Sequence, residues 1–195
     1  MLNKKFKINL KKKKVYGKIV TLRKIGYKDC NNKYLSWLKD KKINKFLECR
    51  IENLSIPKLK RFVKKCNIDL STILFGIFFK DIHIGNIKID INYFHKSCYI
   101  GYFIGEKNYQ KKNMATEALQ LCLKIIFKIL NLRMCFAGVY SANLGGIKFL
   151  KKNKFKKNLR FKKNLRIKNN IYCDELIYCL KRKDYLSYNK NLQLD

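Results

Sequence analysis

The stretch of this chain best suited to chemistry is residues 99–118, YIGYFIGEKNYQKKNMATEA. It predicts a strand that ends at Gly105, a polar loop, and a long apolar helix that begins near Met114. The start of such a helix presents backbone N–H groups that lack intrahelical partners, and the helix dipole adds positive potential there. This arrangement suits an anion such as a pyrophosphate, although many strand–loop–helix junctions share it.

A mixed order of strands and helices positions that junction. The predicted elements are strand 18–25, helices 28–48 and 55–66, strands 72–79, 84–91 and 98–104, helix 114–131, strand 133–140, helix 143–153, and strands 155–161 and 171–181. The short polar links between the three strands within 72–104 favour an antiparallel meander. The helix that follows them favours a parallel pair near the middle of the sheet.

Two helix starts and one helix face can be predicted in more detail. Asp29 is the expected N-cap of the first helix, and Ser55, with Pro57 just after it, is the expected start of the second. The polar residues of helix 114–131 recur every three or four positions and predict one solvated stripe, formed by Glu117, Gln120, Lys124, Lys128 and Asn131.

The composition is strongly basic. Of 195 residues, 46 are Lys or Arg and 13 are Asp or Glu, and the net charge is +33. The excess is almost all lysine, accompanied by residues with AT-rich codons, so it favours a solvated basic surface that binds nucleic acid only non-specifically. The basic segment 151–168 has the same interpretation, as a solvated hairpin.

Other broad classes are excluded by composition. Hydrophobic residues make up 47% of the chain, which excludes wholesale disorder. No apolar stretch is long enough for a transmembrane helix, so no membrane partner is expected. Eight cysteines without a C-x-x-C pair and without a secretory signal predict reduced thiols and a cytoplasmic location. Two isolated histidines are too few for a zinc site, so no metal is expected.

Four segments together resemble a known family, the GNAT superfamily of N-acetyltransferases. They are an IGxI strand at Ile84–Ile87, a strand IGYFIG at Ile100–Gly105, a loop and helix start QKKNMATEA at Gln110–Ala118, and the segment from Asn143 to Phe155. The opening LRKI and the segment YLSWLKDKKINKFLE resemble the branch of ribosomal-protein N-terminal acetyltransferases and bacterial sugar N-acetyltransferases. The resemblance covers residues 18–183.

The resemblance implies an α/β fold, namely a single GNAT-type domain. Its central sheet is expected to be mixed and mostly antiparallel, with splayed central strands and flanking helices. Residues 18–183 would form this domain, residues 1–17 a basic N-terminal lead, and residues 184–195 a C-terminal tail. Nothing in the sequence decides between a monomer and a homodimer.

The resemblance also implies acetyl-CoA as co-substrate, held by residues of two regions. Backbone groups of Tyr102, Phe103 and Ile104 would pair with the pantetheine arm. Asn143 would hydrogen-bond that arm and cap its own helix, and Phe149 would pack near the thioester. The pyrophosphate would be held by the backbone amides of Gln110, Lys111, Lys112, Asn113, Met114 and Ala115, and the Lys111 and Lys112 side chains would add positive charge or be solvated.

The chain departs from the family pattern at four positions. Asn113 and Lys154 replace glycines, and asparagine tolerates a positive φ better than lysine does. Tyr99 stands where relatives often carry a Glu base, and Leu150 where many carry a Tyr acid. The remaining candidates for acid–base chemistry are His95, Glu106 and Tyr140.

An enzyme without a strong general base is best suited to an acceptor amine that is already partly neutral at pH 7. At pH 7 a lysine ε-amine is neutral to about 0.04%, whereas an α-amine is neutral to about 10%, and a sugar amine is expected to lie nearer the latter. The predicted function is therefore acetyl transfer to a primary amine of a small molecule, first a nucleotide-linked amino sugar. A protein N-terminus is the alternative, and a non-catalytic acyl-CoA- or nucleic-acid-binding relative is the alternative from another class.

Overall fold

The structure is a computed structural model that describes residues 14–51, 53–168 and 170–190. Most of the predicted basic lead (residues 1–13) and the end of the predicted tail (residues 191–195) lie outside the described residues. Two compact units are present. The first holds the described residues through Asp90 together with Gly101–Cys122, and the second holds Ile91–Ile100 together with the described residues from Leu123 onward.

The fold is a mixed α/β arrangement with one eight-stranded sheet. The strands are β1 (Val15–Tyr16), β2 (Thr21–Lys24), β3 (Thr72–Phe79), β4 (Ile82–Asn92), β5 (Ser97–Ile104), β6 (Met134–Tyr140), β7 (Lys156–Lys168) and β8 (Ile171–Lys181). The helices are α1 (Asn32–Lys39), α2 (Lys41–Asn44), α3 (Ile56–Ile68), α4 (Met114–Lys124), α5 (Leu144–Lys152) and α6 (Arg182–Lys190). The strand order is β1-β2-β3-β4-β5-β6-β8-β7. Strands β1 to β4 are antiparallel, and β5 and β6 form the predicted parallel pair.

The parallel pair is short. Its register consists of Ser97↔Met134, Cys98↔Cys135 and Tyr99↔Phe136. Strand β5 continues to Ile104, so five of its eight residues lie beyond the last pair. This confirms the expected separation of the central strands.

The core of the first unit lies where helices α1 and α3 cover strands β2 and β3. Tyr34, Trp37 and Leu38 of α1 and Leu59 and Val63 of α3 are all buried in it. The apolar positions of α3 recur at helical spacing, and Ser55 accepts the Lys58 amide as the predicted cap.

The predicted helix 28–48 is wrong as one element. It consists of a 3-10 turn at Tyr27–Asp29, helices α1 and α2, and a further 3-10 turn at Glu48–Ile51. Asp29 does not cap α1, because Asn31 accepts the Tyr34 amide instead. The break at Asp40 has a clear cause, since its carboxylate accepts the Lys42 amide and caps a new helix.

The second unit contains the predicted basic hairpin. Strands β7 and β8 are antiparallel, with register shifts at three places along β7. Strand β7 occupies the edge of the sheet, and residues 156–164 are all exposed. Helix α6 begins directly after β8 and buries Tyr185, so residues 182–190 are helical where a tail from residue 184 is predicted.

The long apolar helix ends earlier than predicted. Helix α4 closes at Lys124, and a π-helical stretch follows at Ile125–Ile129, where the Leu130 amide reaches the Ile125 carbonyl at 2.8 Å. Among the described residues, no helix is long and apolar enough to cross a membrane.

Candidate active site

The predicted anion-binding junction is present in the first unit. After β5, the amides of Gly105 and Glu106 both donate to the Ile84 carbonyl, at 2.9 and 3.1 Å, and a 3-10 turn follows at Lys107–Tyr109. Gly105 is required at this bend, because a Cβ there would overlap the Trp37 ring. The chain then passes through the loop 110–113 into helix α4.

The loop adopts the backbone that the replaced glycine would give. Asn113 has φ of 60°, as predicted for a glycine substitute, and Lys111 also has φ of 60°. The Asn113 carbonyl accepts the Glu117 amide at 3.0 Å, so Asn113 is the last residue before the helix. Lys111 and Asn113 thus have left-handed backbones just before the helix begins. Left-handed residues next to right-handed ones turn successive backbone amides toward one side, as in an anion-binding nest.

The side chains of this loop act differently from its backbone. Gln110 donates its side-chain Nε2 to the Ile104 carbonyl at 2.9 Å, which fastens the loop to the end of β5. Met114 is buried, so its side chain is not available to a ligand. Lys111 and Lys112 are exposed and Ala115 is half-buried, which leaves both lysines able to add positive charge.

The last three side chains of the strand that precedes the loop, Tyr102 to Ile104, are half-buried. Phe103 lies 6.4 Å from the rings of both Tyr34 and Trp37. Burial raises the pKa of Tyr102 well above its usual range, so its phenol stays neutral. These side chains leave the backbone of residues 102–104 as the part suited to pair with an extended ligand.

Glu117 has a role that its place on the predicted solvated stripe does not suggest. Its Oε1 accepts the amide of Lys18 at 2.5 Å, and its Oε2 accepts the amides of Ile19 and Val20 at 2.9 and 2.8 Å. Gly17 leaves room for this carboxylate, because a Cβ there would lie 2.8 Å from it. The first turn of α4 is thereby anchored to the segment before β2.

The second unit contains the junction between β6 and α5. Asn143 Oδ1 accepts the Gly146 amide at 2.9 Å, which confirms the predicted helix cap. Phe149 is half-buried on the same helix, and Leu150 is buried. The ligand roles of Asn143 and Phe149 stay predictions.

The second replaced glycine also adopts a left-handed backbone. Lys154 has φ of 67°, its amide donates to the Lys151 carbonyl at 3.0 Å, and the Phe155 amide donates to the Leu150 carbonyl at 3.0 Å. These two bonds form a Schellman motif, which usually has glycine at this position. The buried pair Leu150 and Phe155 closes the turn.

Two of the three candidate acid–base residues, His95 and Tyr140, lie far apart within the second unit. His95 is exposed in the turn between β4 and β5, where its ring meets Phe94 and its amide donates to Asn92. Tyr140 is buried at the far end of β6. Because Ser97 is level with Met134, and Tyr140 is six residues beyond Met134, His95 and Tyr140 lie about 20 Å apart along the strands.

The third candidate is engaged in an ion pair. Glu106 lies 2.9 Å from the ammonium group of Lys33, and Lys33 also lies over the Trp37 ring. The carboxylate is half-buried.

A polar cluster that sequence reasoning missed lies inside the aromatic core of the first unit. The His83 ring stacks on Phe78 at 4.9 Å and meets Tyr34 and Trp37 edge-on. Its Nε2 lies 3.0 Å from the Gly85 carbonyl and 2.9 Å from Asn86 Oδ1. Because a carbonyl can only accept, Nε2 carries the proton. Burial lowers the pKa of His83, and the bond to Asn86 offsets this only in part.

Among the described residues, no group of His, Cys, Asp and Glu side chains could hold a metal ion. The residues present fit acetyl-CoA instead. The positive φ values at Lys111 and Asn113, the start of an eleven-residue helix and the neighbouring lysines match a pyrophosphate. The backbone of β5 beyond Tyr99, where its pairing with β6 ends, suits the extended pantetheine arm of acetyl-CoA.

The sequence matches the acetyltransferase (GNAT) domain family over residues 22–177. The chain belongs to this family and forms one GNAT domain. It is an acetyl-CoA-dependent acetyltransferase, which favours the enzyme over the non-catalytic alternative. No curated protein matches the sequence.

Solved structures show the same fold at low sequence identity. RimL, a ribosomal alpha-N-protein acetyltransferase in complex with coenzyme A, is 16% identical with a TM-score of 0.80, over 88% of this chain and 99% of that one. The microcin self-immunity acetyltransferase MccE, in complex with acetyl-CoA and AMP, is 21% identical with a TM-score of 0.74, over 85% and 93%. A chimera of the spermidine N-acetyltransferase SpeG from Vibrio cholerae and hSSAT is 22% identical with a TM-score of 0.73, over 86% and 98%.

Proposed function

We propose that this acetyltransferase modifies the primary amine of a nucleotide-linked amino sugar. The observation that carries the proposal is charge. With 46 basic and 13 acidic residues, the chain has a net charge of +33 and therefore a strongly positive electrostatic field. Such a field concentrates an acceptor that carries phosphates and repels a polycation. It therefore argues against a polyamine acceptor of the kind named for the SpeG chimera.

Acetyl-CoA supplies the activated acetyl group, and the chain supplies binding and orientation. In this proposal the amides of 110–115 bind the pyrophosphate, and the backbone of 102–104 pairs with the pantetheine arm. Asn143 hydrogen-bonds that arm, and Phe149 packs near the thioester. Holding an amine against a thioester in the correct geometry removes much of the entropic barrier to transfer.

A sugar amine needs little general-base catalysis from the protein, because a substantial fraction of the amine is already deprotonated at pH 7. His95, Glu106 and Tyr140 remain proposals as helpers. The separation of about 20 Å between His95 and Tyr140 means that at most one of these two touches the reacting atoms. Replacing each with Gln or Phe and comparing kcat identifies which one acts.

Two neighbours support different acceptors. The MccE structure holds AMP together with acetyl-CoA, which supports an acceptor that carries a nucleotide. RimL is named for protein α-N-acetylation, which supports a protein N-terminus as the second candidate. A cytoplasmic location and a monomeric or homodimeric state belong to the proposal as well.

The test is an acetylation panel read by mass spectrometry of the products. We expect kcat/KM for a uridine-diphosphate amino sugar to exceed that of the free amino sugar by about tenfold or more, with the difference shrinking at high salt. A panel in which an N-terminal peptide is the best acceptor would overturn the proposal in favour of the second candidate. Spermidine serves as the polycationic control.

A further inference from the structure

An open groove in the first unit combines one aromatic ring with three cations. It has a volume of about 400 Å³ and is lined by Tyr27, Lys60, Arg61 and Lys64. Tyr27 is 55% exposed, although it belongs to a turn that is otherwise firmly held. The three cations are exposed on helix α3. This volume lies within the range of small-molecule sites.

The backbone under Tyr27 is fixed from several sides. Arg23 forms a two-pronged ion pair with Asp29 at 2.8 and 2.9 Å, and Asp29 also accepts the Gly26 amide at 2.7 Å. Asn67 donates from α3 to the Ile25 carbonyl at 2.9 Å. The last bond links α3 to the chain just before Tyr27. An exposed ring on a rigid turn is preorganised to stack on a planar ligand, because little conformational freedom is lost on binding.

The groove is strongly basic. Helix α3 contains five basic residues and no acidic one. Lys60 and Lys64 are four residues apart, so their like charges repel on one face of the helix. Among the described residues, no carboxylate forms an ion pair with Lys60, Arg61 or Lys64. A bound anion would relieve this repulsion.

We propose that this groove binds a nucleoside diphosphate, with the base stacked on Tyr27 and the phosphates held by Lys60, Arg61 and Lys64. Three cations match the charge of a diphosphate, and Arg61 can hold two phosphate oxygens at once. The exposed Tyr27 ring favours binding of a nucleotide over inorganic phosphate, because only the nucleotide has a base that can stack on it. The inference deepens the proposed function and rests on it, since the nucleotide would be that of the acceptor.

The test is a calorimetric titration with uridine 5′-diphosphate in the presence of saturating CoA, so that the CoA site is filled. The double variant Lys60→Gln/Lys64→Gln is expected to weaken binding about tenfold. The matched control, Lys124→Gln/Lys128→Gln, also removes two exposed lysines four residues apart on a helical segment. It is expected to change binding less than about twofold, because these lysines lie outside the groove.

The aromatic part has its own measurement. Tyr27→Ala is expected to weaken uridine 5′-diphosphate several-fold and to leave inorganic pyrophosphate unchanged, whereas Tyr27→Phe keeps nucleotide binding. Equal losses in both lysine double variants would overturn the inference in favour of diffuse charge attraction. Absence of nucleotide binding to the CoA-saturated protein would overturn it as well.

The two proposals fail in different ways. If a nucleotide-linked amino sugar is acetylated and its KM does not change in the groove variants, the groove inference fails and the proposed function stands. If the groove variants weaken nucleotide binding but no nucleotide-linked amine is acetylated, the proposed function fails and the groove binds a nucleotide for another purpose.

Discussion

Val20 donates its backbone N–H to Glu117 Oε2 over 2.8 Å, across a sequence separation of 97 residues. With the amides of Lys18 and Ile19 on the same carboxylate, this contact joins the segment before β2 to the helix that follows the anion-binding loop. Hydrogen bonds to a carboxylate are stronger than those to a neutral group. The start of helix α4 therefore depends on one charged side chain.

Glu117→Gln is expected to lower the free energy of unfolding by about 1–3 kcal/mol, because the amide cannot accept from all three N–H groups. Urea denaturation measures this value. Asp81→Asn is the matched control, since it removes one negative charge from an exposed turn and Asn tolerates its φ of 63°. Equal stability of the two variants would show that the Glu117 contacts contribute nothing.

Lys154→Gly is expected to raise the free energy of unfolding by about 1 kcal/mol. The left-handed backbone at Lys154 strains a residue with a Cβ, and glycine removes this strain. Thermal denaturation gives the change in Tm. The same substitution six residues earlier, Lys148→Gly, lies in the interior of α5 and is expected to lower the stability by about 1 kcal/mol. If both variants are destabilised, the Schellman turn does not require glycine-like backbone freedom.

The burial of His83 predicts a pH dependence of stability. Its pKa is lowered below the ordinary value of 6.5 in the folded state, so the unfolded chain binds the proton more tightly. Stability is therefore full above pH 6.5, falls as the pH decreases through 6.5, and levels off below the folded-state pKa.

Urea denaturation between pH 7.5 and pH 5 measures this profile. His83→Gln is expected to remove this component of the fall, whereas His95→Gln, at an exposed turn, is expected to keep it. Parallel profiles for the wild type and His83→Gln would show that another group carries the pH dependence.

Asn143→Ala is expected to weaken acetyl-CoA binding in a protein that stays folded. Loss of the cap of α5 lowers stability by about 1 kcal/mol. Asn31→Ala removes an equivalent cap from α1, where Asn31 accepts the Tyr34 amide at 3.0 Å. Calorimetry with acetyl-CoA compares the two. If both variants change the acetyl-CoA affinity equally, Asn143 acts only as a helix cap and does not bind the ligand.

Much of the fold could be predicted because the apolar periods of strands β3 to β6 and of helices α3 and α5 are regular. The break in the segment 28–48 could not be predicted, because an Asp side chain can either lie on a continuing helix or cap a new one, and here the Asp40 carboxylate accepts the Lys42 amide. The loop 110–113 can be located from its residue order. Its side-chain bonds, such as Gln110 to Ile104, depend on loop geometry that no period encodes.

The His83 cluster illustrates a second limit of sequence reasoning. Residues three apart in a regular strand point to opposite faces, so His83 and Asn86 are predicted on different sides of β4. The register shift between Ile77 and Phe78 places His83 opposite Phe78 and lets its ring reach the Asn86 side chain at 2.9 Å. A bulge of this kind leaves no clear mark in the residue types.

The edge strand β7 also affects the tendency of the protein to self-associate at high concentration. An open edge carrying Leu159 and Phe161, about half-exposed, is a template on which a second copy could extend the sheet. The register shifts along β7 and the basic side chains interleaved with those two residues oppose this, because two such edges would bring like charges together. This protection is electrostatic, so it weakens as salt is raised. Dilute, low-salt solutions therefore keep the copies apart, and a polyanion that coats the lysines removes the same barrier to self-association.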